Sequence, residues 1–187
     1  MYNLEIEKFI KKYDMYLLNN KIDIDLKYAT NDNFLNKKVY NNTTCLLRQE
    51  VAQKLLEANE YLKKNYNLKL CILDAYRPIE VQREMFELVP NPNFVADPNS
   101  ENCNHTRGNA VDVCLIDINN NIIPMPSKFD HFGYEAYRNY YRNNDQLNNS
   151  IKKNAILLEE VMKKFGFIGL ESEWWHFNYN KQYPIIK

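Results

Sequence analysis

At Asn67 the chain changes its hydrophobic period. Before it, Leu47, Val51, Leu55, Ala58 and Leu62 recur every three or four positions, the spacing that gathers apolar side chains on one helix face. After it, Leu68-Lys69-Leu70-Cys71-Ile72-Leu73 is short, almost wholly apolar and closed off by Arg77-Pro78. That run reads as a buried strand. A helix over 45–66, capped by Thr43 or Thr44, thus leads straight into a core strand. Any fold for this chain must pack helices on a sheet.

The remaining segments fill in that plan. Ile79 to Leu88 looks helical with Pro78 at its start. Residues 90–104 carry Pro90, Pro92 and Pro98 without any period, and a loop this long in a compact domain is often functional. Ala110 to Ile118 alternates, and Asn119-Asn120-Asn121 turns it toward Ile122-Ile123 as a hairpin. Residues 124–149 are aromatic and polar without a period. After Ser150, Ile151, Ala155, Leu158, Val161, Met162 and Phe165 mark a second amphipathic helix stopped by Gly166. Trp174 to Tyr179 reads as a terminal strand, and the first twenty residues as a further helix. Only four glycines are present, so the recurrent Asn pairs at 19–20, 41–42, 119–121, 143–144 and 148–149 are read as the turns. Without regular βαβ alternation the class is α+β: a small, mainly antiparallel sheet flanked by helices, with the site in a central cleft. A length of 187 residues fits one domain, 1–187.

Charge narrows the function. Lys+Arg and Asp+Glu both number 24, so bulk electrostatics draws the chain neither to nucleic acid nor to an anionic membrane. Charged residues interrupt the apolar ones near the N-terminus, leaving neither a signal-peptide core nor a membrane span. A cytoplasmic location is the expectation. There the four cysteines, Cys45, Cys71, Cys103 and Cys114, are expected as free thiols. No CxxC pair suggests a structural zinc knuckle.

Chemistry rests on three histidines, His105, His131 and His176. His105 opens His-Thr-Arg-Gly-Asn-Ala-Val-Asp, ending at Asp112. A spacing of seven cannot place two side chains on one strand face, but a bend at Gly108 brings them together. The plainer alternative is a polar turn leading into a strand with Asp112 facing solvent. Glu173-Trp174-Trp175-His176 sets an acid and a histidine among both tryptophans of the chain, a place where charge needs a partner. Two histidines and one aspartate match a catalytic zinc site that keeps one position open. Glu173 is then the carboxylate that takes a proton from water, and Glu171 reads as a solvated loop residue. Arg77 in Asp74-Ala75-Tyr76-Arg77-Pro78 either stabilises an oxyanion or only anchors the turn through Asp74 or Glu80. His131 reads as structural.

Together these segments resemble the VanX-type D-alanyl-D-alanine dipeptidase family of zinc D,D-peptidases. The likeness runs from Asp25-Leu26-Lys27-Tyr28-Ala29-Thr30-Asn31-Asp32-Asn33-Phe34 to the C-terminal Glu-Trp-Trp-His-Phe. It includes His105-x-x-Gly108-x-Ala110-x-Asp112, Glu173-x-x-His176 and Tyr76-Arg77-Pro78. The resemblance implies one zinc ion per chain on His105, Asp112 and His176, with Glu173 as base and Arg77 at the tetrahedral intermediate. It implies hydrolysis of a small dipeptide, D-Ala-D-Ala, to two D-alanines. Asp130, in Met125-Pro126-Ser127-Lys128-Phe129-Asp130, is the acid expected for the substrate ammonium. Tyr76, Cys103 and Trp175 complete the expected substrate contacts. Cys103 stands where the family carries a small hydroxyl residue, and a thiol is a poorer hydrogen-bond donor.

Three other readings compete. A D,D-carboxypeptidase would use the same ligands on longer wall peptides, and is normally exported. A non-catalytic zinc-binding module would lack the base. A cysteine hydrolase built on Cys103 and His105 fails if the chain there is extended, where side chains two apart stand roughly 6–7 Å from each other.

Overall fold

The computed structural model describes residues 4–186. In chain order it has α1 (Leu4–Tyr13), β1 (Met15–Leu17), β2 (Asp23–Ile24), β3 (Leu46–Arg48), α2 (Gln49–Tyr66), β4 (Leu68–Asp74) and α3 (Ile79–Leu88). Then follow β5 (Ala110–Asp117), α4 (Arg138–Asn143), α5 (Asn149–Lys164), β6 (Phe167–Gly169) and β7 (His176–Tyr179). Five strands form the main sheet in the order β2-β4-β5-β7-β6, and β1 pairs with β3 in a small second sheet. Among the described residues only the β2–β4 pairing is parallel. The α+β class with a mainly antiparallel sheet is what forms. No helix among the described residues is long and apolar enough to cross a membrane.

The period change at Asn67 is real. Asn67 caps α2 in a left-handed conformation, φ 54, and its N–H donates to the Leu62 carbonyl. Helices more often end on glycine there. Asn20 and Asn120 are also left-handed, so two of the Asn clusters turn the chain as glycine would.

Helix α2 starts four residues later than the periodicity places it. Leu46–Arg48 pairs with Met15–Leu17 instead, so neither Thr43 nor Thr44 caps it. Arg48 holds the N-cap position without a side-chain cap bond. The hairpin beyond β5 shrinks to one bridge, Ile116 to Ile122. Its turn is satisfied by the Asp117 carboxylate, which accepts from the Asn119 and Asn121 backbone N–H groups at 2.8 Å. Helix α5 is capped by Asn148, whose side chain accepts from Ser150 N–H. The terminal strand begins at His176 rather than Trp174, and β6 and α4 are elements that periodicity did not reveal.

Alternation along the central strands separates two faces. Leu70 and Ile72 of β4 and Val111, Val113 and Leu115 of β5 are fully buried in the main core with Leu55, Leu62 and Leu158, each burial contributing about 1.5–3 kcal/mol. Helix α2 covers β4, and α5 lies against β6. The other face carries Asp112 of β5 directly opposite His176 of β7. A register irregularity between Ile72 and Asp74 sets Asp74 opposite Asp112. An extra residue there turns the end of β4, bringing a second carboxylate to the polar face.

Candidate metal centre and cleft

His105 begins a single 3-10 turn, His105–Arg107, that Gly108 ends at φ 72. Only glycine adopts this conformation without penalty. The bend brings the His105 ring back over β5, and His105, Asp112 and His176 converge. Their ligand atoms all lie within 4.8 Å of one another, and all three residues are buried. His105 Nε2 is 3.2 Å from His176 Nδ1 and 3.4 Å from Asp112 Oδ1, and His176 Nδ1 is 3.0 Å from the same oxygen.

The outer nitrogens fix which face of each ring is free. His105 Nδ1 lies 2.7 Å from the Ala75 carbonyl and His176 Nε2 lies 3.0 Å from Asn178 Oδ1. Both oxygens only accept, so each outer nitrogen carries the proton. The inner nitrogens then face Asp112 and each other with lone pairs. Three acceptors gathered in a buried space repel unless a cation or a proton lies among them. The donor set of two imidazoles and a carboxylate, each ring oriented by a further acceptor, suits a zinc ion.

Glu173 flanks the cluster, its Oε2 3.9 Å from His176 Nδ1. Burial pushes its carboxyl up, and the Asp112 charge adds to this against the pull of His176. Burial acts on Asp112 in the same direction, but His105 and His176 outweigh it and hold that carboxyl well below its usual range. Glu171 stays exposed and pairs with Arg142 at 3.0 Å. His131 is exposed and paired with Glu135 at 2.9 Å.

Arg77 makes the anchoring contact of its plainer reading and also faces the cleft. It is buried and fixed to Asp74 through Nε at 3.2 Å and Nη2 at 2.6 Å, with Nη1 donating to Gln82 at 2.9 Å. It also lines the cleft, a cavity of about 470 Å³ shared with His105, Asp112, Asp130, Glu173 and Trp175. Burial opposes its charge, but Asp74 more than compensates, so the guanidinium stays ionised.

Asp130 stands on the far wall at φ 58, a left-handed backbone for a non-glycine residue. It accepts from the Tyr28 hydroxyl at 3.0 Å. Burial, and then the Asp112 charge, push its carboxyl up to about 8. Trp175 lines the cleft with its ring 5.3 Å from Phe129, while Trp174 points elsewhere and donates to Ser127 Oγ at 3.0 Å. Cys103 borders the cleft, but its thiol donates to the Asp97 carbonyl at 2.9 Å, and burial pushes it up. It makes no bond to His105. The segment between them is not extended, since Asn104 is helical. The four cysteines are free.

Tyr76 is not brought to the cleft. Adjacent to Arg77 on a non-helical segment, it points the other way. Its ring lies 5.5 Å from that of Phe9 in α1, bordering a separate groove. Two residues the sequence did not single out join the site, Tyr28 and Asn178, and Asp74, expected only as an anchor for Arg77, joins it as well. Asp74 also accepts from the Tyr40 hydroxyl and lies 3.6 Å from His105 Nδ1. Asn178, two residues beyond His176 on one strand face, was open to inference from β alternation alone.

A family model described as D-ala-D-ala dipeptidase matches residues 10–185. The chain is 32% identical over 175 residues to the D-alanyl-D-alanine dipeptidase of Escherichia coli K12, covering 92% of this chain and 88% of that one. It is 24% identical over 189 residues to a D-alanyl-D-alanine dipeptidase of Synechocystis, with 74% of each covered. Among solved structures, the vancomycin-resistance D,D-pentapeptidase VanY is 16% identical, with a TM-score of 0.46 over 76% of both chains.

Proposed function

The chain belongs to the D-Ala-D-Ala dipeptidase family of metallopeptidases, and on that premise we propose that it hydrolyses D-alanyl-D-alanine to two D-alanines. One zinc ion would be held by His105, Asp112 and His176. The observation that carries this reading is the inward convergence of two ring nitrogens and a carboxylate oxygen within 4.8 Å. Zinc held there would supply Lewis acidity, to acidify water and polarise a carbonyl oxygen.

The chain's own residues do the rest. Glu173 takes a proton from water as the water oxygen adds to the scissile carbonyl carbon, and returns it to the departing amine as the C–N bond breaks. Its raised proton affinity suits a group that must both accept and donate. Arg77, held rigidly by Asp74, presents positive charge to the developing oxyanion. Asp130 accepts the substrate ammonium, and its left-handed backbone is the kind of strain that gathers at binding sites. Trp175, backed by Phe129, presents an apolar wall for a methyl side chain. The names of both curated relatives support the dipeptide over longer wall peptides as substrate, and the cytosol as the place of action is part of the same proposal.

Chelation should abolish D-Ala-D-Ala hydrolysis and zinc restore it. Glu173→Ala should keep zinc and lose turnover, while Asp112→Ala should lose zinc. The opposite pattern of metal retention would defeat the ligand assignment. Product analysis with D-Ala-D-Ala, D-Ala-D-lactate and an acylated D-Ala-D-Ala side by side separates a dipeptidase from a carboxypeptidase, which would cleave the acylated peptide.

A further inference from the structure

Arg138 is a guanidinium sealed in the interior at 1% exposure, inside the stretch that shows no period in sequence. A buried ion costs several kcal/mol unless it is fully bonded. Here most of the bonds go to one loop. Nε donates to the Leu170 carbonyl at 2.9 Å, and Nη2 to the carbonyls of Glu173, Trp174 and His176 at 3.1, 3.2 and 3.0 Å. Nη1 donates to the Tyr141 hydroxyl at 3.1 Å, which in turn donates to Glu159 at 2.7 Å. Glu159 supplies a counter-charge 3.8 Å away. The guanidinium plane lies over the Phe177 ring, 4.4 Å from its centroid.

The loop between β6 and β7 needs such a partner. A buried carbonyl must find a donor, and Glu173 and Trp174 lie outside the strand ladder. Gly169 bears on the same arrangement independently. A Cβ there would fall on Cζ, Nε and Nη2 of Arg138, so glycine leaves the space that the guanidinium fills.

We propose that Arg138 is a positioning residue. Its planar fork orients the peptide groups from Glu173 to His176, and so aims the Glu173 carboxylate and the His176 ring into the cleft. This rests on the roles given above to those two residues. A lysine ammonium is a point charge without the rigid fork and would not hold three loop carbonyls and that of His176 in the same array.

The test uses the full chain with Arg138→Lys, Gly169→Ala and, as a control, Arg142→Gln. Arg142 reaches the Glu159 and Glu171 side chains rather than the loop carbonyls. Well below the unfolding midpoint, both Arg138→Lys and Gly169→Ala should lower kcat about 10- to 100-fold with KM changed less than about twofold. Zinc affinity, read by competition with a chromophoric chelator, should fall by about 10- to 100-fold in both. Arg142→Gln should shift only the midpoint. If all three variants lose stability but keep wild-type kcat and zinc affinity, Arg138 is merely structural and the proposal is overturned. Should Arg138→Lys fail to fold, Gly169→Ala decides, because it leaves every charge in place. If the wild type binds zinc but does not cleave D-Ala-D-Ala, the assigned activity falls. The zinc comparison then still decides Arg138, and unchanged affinity in Gly169→Ala overturns it.

Discussion

Two residues at the cleft hold backbone that side chains with a Cβ rarely adopt, Gly108 at φ 72 and Asp130 at φ 58. They do so for different reasons. Gly108 folds the His105 turn onto β5, and a Cβ there would sit 2.9 Å from Met15 Cε. The Met side chain can move, so the backbone dominates, and Gly108→Ala should cost about 1–2 kcal/mol. Denaturant unfolding would measure it, and zinc affinity should weaken in parallel because His105 and Asp112 lie on either side of the bend. For Asp130, the proposed contact to an ammonium is a charged hydrogen bond worth about 1.5–3 kcal/mol. Asp130→Asn should therefore raise KM for D-Ala-D-Ala roughly 10- to 100-fold, with a smaller change in kcat; an unchanged KM would remove Asp130 from the substrate site. At this scale the sequence carried much of the buried His-Asp-His cluster, because His105, Gly108, Asp112 and His176 sit in short local patterns. It offered Asp74 only as a candidate anchor for Arg77 and gave Tyr28 no place at the site. Asp74 reaches the site through a register irregularity in β4, and Tyr28 through a loop 102 residues from its partner Asp130. Long-range pairings of this kind leave no local trace. Tyr76 went astray for the converse reason: its place in a motif says nothing about which side of the chain it takes.

Among elements, legibility followed length and amphipathic pattern. Helices α2, α3 and α5 and strands β4 and β5 each present a sustained period, and each forms close to the expected bounds. The three-residue strands β3 and β6 are too short for a period, and tertiary pairing alone makes them strands. Helix α4 hides among aromatics because what it buries is Arg138 and Tyr141 rather than an aliphatic stripe. Its attachment to α5 is polar and titratable. Burial pushes the Glu159 carboxyl up, but hydrogen bonds from Arg142 and Tyr141 and the charge of Arg138 outweigh this and hold it below its ordinary value. A carboxyl depressed in the folded state contributes stability above its unfolded pKa and loses it as pH falls through the folded one. Glu159→Gln should thus destabilise by roughly 1–3 kcal/mol near neutrality. The gap to wild type should narrow steadily once the pH drops below the ordinary carboxylate range. Paired urea titrations across that range would show it, and a gap independent of pH would mean that packing rather than charge joins the two helices.

Across the whole molecule, the His105-Asp112-His176 cluster ties together parts of the chain that are far apart in sequence. His105 comes from a turn, Asp112 from the centre of the sheet and His176 from its last strand. The C-terminal segment closes over the same turn: Ile186 N–H donates to the Thr106 carbonyl at 3.0 Å, and Arg107 donates to the Tyr183 carbonyl at 2.6 Å. Arg48 binds the turn from the other side, donating to the Arg107 carbonyl at 2.7 Å and to that of Pro184 at 2.9 Å. The turn is therefore held in place by protein contacts on two sides, and metal binding adds to a site already assembled. Without a cation only a proton can reconcile the inward-facing ring nitrogens with the Asp112 carboxylate, so zinc should act on stability as well as on catalysis. A ligand that binds only the folded state raises unfolding free energy by about 2.7 kcal/mol at a hundredfold excess over its Kd. Wild-type protein titrated with zinc should show that rise in its unfolding midpoint, reversible by chelator. Glu173→Ala should show the same rise, since Glu173 is not a ligand in the assignment, whereas Asp112→Ala should show almost none. A chelated wild type that has lost its native circular dichroism would instead mean that the metal builds the site, and that the contacts of Arg48 and the C-terminal segment are too weak to hold the turn alone.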